Sequence, residues 1–151
     1  MTLILTFATE VDAPLPAPTD CDEIGRVTRC IVSAHDRTRT HETRIGFGEK
    51  RCLVADFSGA ISPSRYITSI TWRCIDGYVI AMSNARIQST KRSVAVDIQA
   101  NYGGESWLRC DVTLDNGEIY VQRFHASVVG YPWPWPDPVA PGPLILTATL
   151  G

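Results

Sequence analysis

A chain of 151 residues, 44% hydrophobic and 20% charged, is long enough to bury a core and has the balance of an ordinary globular domain with extensions. A formal net charge of −2 leaves no basic footprint for nucleic acid. No run of about 18 or more apolar residues occurs, so no bilayer-spanning helix and no membrane partner are expected.

The chain begins with Leu3-Ile4-Leu5-Thr6 and Phe7, followed by the proline-bearing stretch "APLPAP". The same tetrapeptide returns as Leu144-Ile145-Leu146-Thr147, after "PWPWPDPVAPGP". The opening residues lack the basic lead and the longer apolar stretch of a secretory signal, so the chain is expected to be made and kept in a cytoplasm. Proline-rich stretches mark boundaries: an N-terminal arm over 1–21, a sandwich domain over 22–130 and a C-terminal arm over 131–151.

After the first spacer, "DCDE" clusters Asp20, Asp22 and Glu23 without the glycine or spaced ligands of a calcium loop, and reads as a solvated loop. "RVTRCIVSA" reads as a strand, then "AHDRTRTHE" as a polar hairpin tip. His35 and His41 lie in that tip beside Asp36 and Glu42, at a spacing that matches no established metal pattern. "GFGEK" is a turn, since no helix follows it to supply an anion-binding terminus. "RCLVADF" is the next strand.

Period-two alternation then becomes regular. In "YITSITWRC", Tyr66, Ile70, Trp72 and Cys74 fall on one face, with Ser69 and Arg73 on the other. "YVIAMS" is a further strand, and "SVAVDIQ" puts Val94, Val96 and Ile98 opposite Asp97 and Gln99. "WLRCDVTL" turns Leu108, Cys110, Val112 and Leu114 inward, leaving Trp107, Arg109, Asp111 and Thr113 outward. "YVQRFHASV" turns Phe124, Ala126 and Val128 inward and His125 outward. Asn116-Gly117 joins the last two runs, as a type I′ hairpin turn demands. The predicted fold is an all-β, Ig-like antiparallel β-sandwich of about seven strands. Trp72, Cys74, Cys110 and Phe124 are its expected core, with Trp72 facing Cys110 across the sheets.

Signatures of catalysis are missing: no nucleophile elbow, no phosphate-cradling loop and no paired zinc histidines, so no enzyme, cofactor or metal is expected. The five cysteines (Cys21, Cys30, Cys52, Cys74, Cys110) are odd in number and form no CxxC pair, and buried free thiols are expected. Tyr102, Trp107, Trp133 and Trp135 are aromatic residues at loops, strand faces or the tail. Their flat faces could stack on sugars, as in a carbohydrate-binding module. Against this, Trp107 is expected to be covered by the proline tail of its own chain.

Three features of the core carry a family resemblance. Asp56 leads a strand before "ITSITW" at Ile67 to Trp72; a hairpin of the form C-x-x-T-x-[DN]-G runs from Cys110 to Gly117; and a closing R-x-F-x-x-x-V strand holds Arg123, Phe124 and Val128. Over roughly residues 50–130 the chain resembles the small Ig-like domains that tailed bacteriophages carry on virion structural proteins, including those that attach fibres to the tail. The resemblance implies a non-enzymatic protein of the virion, assembled in the host cytoplasm in several copies. Its implied partners are tail, portal-proximal or fibre subunits and its own copies.

The arms fit that expectation. Proline favours the extended polyproline conformation, and residues 132–143 would span roughly 37 Å at about 3.1 Å per residue. Both faces of each terminal tetrapeptide are apolar, so each wants cover on two sides. Burying its side chains roughly offsets the entropy of ordering it, and a partner strand's hydrogen bonds tip the balance. Leu3, Ile4, Leu5, Phe7, Leu144, Ile145 and Leu146 are therefore the expected partner-binding residues, with Trp133 and Trp135 anchoring the spacer. The competing expectation is that the tips fold back onto their own sandwich. A capsid decoration or cement role is the alternative for the whole protein.

Overall fold

Each alternating run forms a strand, and the strands stack as two sheets with their apolar faces turned together. The computed structural model describes residues 20–21, 27–36, 38–75, 79–130 and 143–150. In chain order the strands are β1 (Val27–Ile31), β2 (Thr40–Gly46), β3 (Lys50–Asp56), β4 (Ile67–Cys74), β5 (Ile80–Ile87), β6 (Ser93–Ala100), β7 (Gly104–Leu114), β8 (Ile119–Val129) and β9 (Leu144–Thr149). One sheet has the order β9-β4-β7-β8-β2 and the other β1-β3-β6-β5. The fold is an all-β sandwich.

The inward residues expected on β4, β6, β7 and β8 form one buried cluster in which Trp72 packs against Phe124, ring centroids 5.6 Å apart. Trp72 does not face Cys110 across the sheets. The two are in-register neighbours on β4 and β7 of one sheet, both fully buried. Tyr66 also departs from expectation and is exposed, because it precedes β4 and the β4–β7 register shifts between Ile67 and Ser69. A smaller cluster of Cys52, Val54 and Ala95 lies apart from the main core, with Cys21 and Val27 packed over it. Part of the four-stranded sheet is thus covered on both faces.

Strand direction is mixed. Most pairs are antiparallel, but β1 joins β3 and β2 joins β8 in parallel. These two edge strands come from residues 27–46, so the charged stretch before Lys50 contributes one strand to each sheet. The hairpin at Asn116-Gly117 is present with a different turn. Gly117 alone has positive φ, +89°, and its N–H donates to the Leu114 carbonyl at 3.0 Å, while the Leu114 N–H donates to the Glu118 carbonyl at 2.8 Å. That is a three-residue loop, a type I turn followed by a left-handed glycine. Asn116 uses its side-chain oxygen instead, accepting from the Glu118 N–H at 3.1 Å.

The C-terminal tetrapeptide lies inside the sandwich, beyond the expected boundary at residue 130. Strand β9 pairs antiparallel with β4 of its own chain, from Leu144 opposite Cys74 to Thr149 opposite Ser69. Leu144, Leu146 and Ala148 lean on the core and the alternate residues face outward.

Candidate functional site

Register brings residues from four strands together on the outer face of the five-stranded sheet. Ile145 of β9 lies opposite Arg73 of β4, Arg73 opposite Arg109 of β7, and Arg109 opposite Arg123 of β8. Like charges directly opposite on neighbouring strands repel. One carboxylate offsets them: Asp111 accepts from Arg109 Nε at 2.7 Å and Nη2 at 3.0 Å, and lies 4.0 Å from Arg73. Those hydrogen bonds hold the Arg109 guanidinium still more firmly protonated. Arg123 has no carboxylate partner among the described residues, so the row is left positive.

One pleat along the same face, Trp107 of β7 lies opposite His125 of β8 and His125 opposite Glu42 of β2. The Trp107 and His125 rings stack with centroids 4.3 Å apart. His125 Nδ1 is 2.7 Å from Glu42 Oε1, and Nε2 is 2.6 Å from Glu105 Oε1. These two hydrogen bonds, Glu42 first, raise the His125 pKa above its ordinary value. His125 is thus a half-buried bridge, where a simple surface position was expected. Trp107 keeps its outward orientation and is 52% exposed. Covering of Trp107 by the proline tail concerns residues 131–142, outside the described residues.

Between the arginine row and Trp107 runs a groove of about 380 Å³, lined also by Ile75, Leu108, Pro143, Leu144 and Ile145. Ile75 and Ile145 are each 55% exposed at its margin. Ile75 is tied to Trp107 through its N–H, which donates to the Trp107 carbonyl at 3.1 Å.

The remaining expected site residues fall elsewhere. Leu3, Ile4, Leu5, Phe7, Trp133 and Trp135 lie outside the described residues. Leu144 and Leu146, expected to meet another subunit, pack on their own chain's core, and Ile145 alone of the three points outward. The reason is that Ile67–Cys74 offers hydrogen bonds and an apolar ledge nearby. His41 lies on β2, edge-on to Phe124 at 5.8 Å, and burial lowers its pKa. Asp20 accepts from the Ser89 N–H at 2.8 Å.

The cysteine expectation needs correction. Cys21 and Cys52 form a disulfide, while Cys30, Cys74 and Cys110 are free and buried. Neither an odd count nor the lack of a CxxC pair bars one tertiary disulfide; the segment at Cys21 packs over β3 and brings the two sulfurs together. Asp97 is close enough to both sulfurs to complete a metal-ligating trio, but disulfide sulfurs are not thiolate ligands. Burial pushes the Cys30 thiol up to about 11 and Cys110 well above its usual value, so neither is an activated nucleophile.

The arginine row and its groove are not legible in the sequence. Outward parity of Arg73 and Arg109 was visible in the sequence, but their alignment with Arg123 and Ile145 depends on strand register.

The chain is thus an all-β sandwich protein with a basic, aromatic-edged groove on one sheet. No protein-family model and no curated protein matches it. Among solved structures it is similar to a cysteine protease inhibitor from Entamoeba histolytica, at 9% identity and a TM-score of 0.44, over 68% of this chain and 94% of that one. It is also similar to a 2,6-sialyltransferase from Photobacterium sp. JT-ISH-224, at 12% identity and a TM-score of 0.35, over 70% of this chain and 19% of that one. Neither likeness is close enough to carry an inference.

Proposed function

We propose that this protein is a non-enzymatic structural component of a bacteriophage virion, an adaptor at the neck or tail that helps attach fibres. The resemblance over residues 50–130 motivates the setting. The observation that supports a docking role is the state of β9. It ends the five-stranded sheet, so no described strand pairs with its outer edge, and it exposes Ile145. An apolar edge strand is a template for strand addition. The apolar sequence Leu3–Thr6, continued by Phe7, has the composition to be donated to such an edge, from a neighbouring copy or to a virion partner. Trp133 and Trp135 would add aromatic anchors beside it.

Mixing the purified full-length protein with tail, fibre and empty-capsid preparations of the phage that encodes it tests the reading. Retention by tail or fibre components, weakened by Leu3→Asp with Leu5→Asp, is the expected result. Retention by empty capsids, with a gain in their heat resistance, would replace the adaptor by a capsid cement protein. Hydrolase turnover that survives repurification would overturn both.

A further inference from the structure

We propose that the groove beside Trp107 is a binding site for an acidic saccharide. A carboxylate on the sugar is held by Arg123 and Arg109, and a ring face lies on the Trp107 indole. The proposal does not depend on the virion setting.

Three properties of the groove point to this ligand. The first is charge. Arg73, Arg109 and Arg123 stand in register on adjacent strands, Arg73 and Arg109 share Asp111 as their carboxylate, and Arg123 has no acidic partner among the described residues. A planar guanidinium fork suits a carboxylate bidentately, and a ligand anion relieves the repulsion along the row. The second is the aromatic plate. Trp107 is half exposed, yet it is fixed from behind by His125, whose ring is itself held at both nitrogens by Glu42 and Glu105. A plate oriented before binding loses little side-chain entropy when a ring settles on it.

The third is size. At about 380 Å³ the groove matches the lower range of small-molecule sites and is bordered by exposed Ile75 and Ile145. An acidic peptide would satisfy the charge as well. An extended peptide, however, draws affinity from main-chain hydrogen bonds along a sheet edge, whereas Trp107, Arg109 and Arg123 stand on β7 and β8, strands paired on both sides. A compact ring bearing a carboxylate needs only the plate and the forks.

The test is titration of the full-length protein with oligosaccharides ending in a uronic or sialic acid, with their methyl esters, and with oligoglutamate. Binding of the free acids is expected, about tenfold or more weaker for the esters and weaker still at high salt. Trp107→Ala and Arg123→Gln should each lower affinity about tenfold or more while the protein stays folded by circular dichroism. Asp111→Asn should strengthen binding, since it frees Arg109. Equal binding of esters and acids, preference for oligoglutamate, or no binding of any acid would overturn the proposal.

Discussion

Trp107 rests against His125 on the neighbouring strand, ring planes 35° apart, and both nitrogens of that histidine are taken by glutamates of two other strands, Glu42 on β2 and Glu105 on β7. The exposed aromatic plate is thus coupled to an imidazole whose hold on its proton the two glutamates strengthen.

The coupling has a sign. An imidazolium donates from both nitrogens, so the folded state binds this proton more tightly than the unfolded chain, and the His125 pKa is raised, chiefly by Glu42 and then Glu105. The stabilisation is fully present below about 6.5, the ordinary histidine value, and is lost as pH rises through the raised folded value. His41 titrates below its ordinary value because burial disfavours its charge. An NMR titration should therefore place these two histidines on opposite sides of about 6.5. Glu42→Gln with Glu105→Gln should bring His125 back down; a His125 midpoint that does not move would remove the bridge.

The disulfide joins positions separated by 31 residues and ties the segment at Cys21 to β3. On the loop-closure account, a link of that span contributes about 3–4 kcal/mol. Protein purified under oxidising conditions should show three titratable thiols when denatured and five after reduction. Its denaturant midpoint should fall with reductant. Five thiols without reductant would mean that the pair is open; the Arg86 guanidinium, whose Nη2 lies 3.2 Å from the Cys52 sulfur, would then favour a reactive thiolate.

Gly117 is a local test of the β7–β8 hairpin. Its φ of +89° lies in the left-handed region, although space for a Cβ is open. Gly117→Ala should therefore cost about 1–2 kcal/mol through backbone strain alone. Gly59, with open space and no positive φ, is the control: Gly59→Ala should be neutral or slightly stabilising in thermal melts.

Which parts of this were legible follows from what alternation encodes. Period two turns Leu108, Cys110, Val112, Phe124, Ala126 and Val128 inward, and all are buried. Alternation gives the face of a residue and says nothing of which strand lies beside it. For that reason alternation does not distinguish a Trp72 across from Cys110 from one beside it, and it hides the alignment of Arg73, Arg109 and Arg123. The Asn-Gly pair located the hairpin, but its turn type depended on the φ of Asn116, which a dipeptide does not determine. Cys21 and Cys52 were hidden for a further reason: their contact is tertiary, and an odd cysteine count obscures any one pair.

The last prediction concerns β9, whose sequence alone admitted two placements. Leu146 lies opposite Trp72 on β4 and leans on the core, while Ile145 points away from it, 55% exposed. Leu146→Ala should thus cost about 1–3 kcal/mol, below the full price of a wholly buried leucine, and Ile145→Ser about 0.5 kcal/mol or less. The pairing also predicts how stability depends on protein concentration. A strand that returns to its own sheet stabilises each molecule separately, so once Leu3→Asp with Leu5→Asp removes donation by the N-terminal tip, the melting temperature should not change over a hundredfold range of concentration, a dilution that shifts any linked association. A melting temperature that rises with concentration, together with a Leu146→Ala effect that shrinks on dilution, would mean that β9 is donated between copies. The C-terminal tip would then be a clasp between copies.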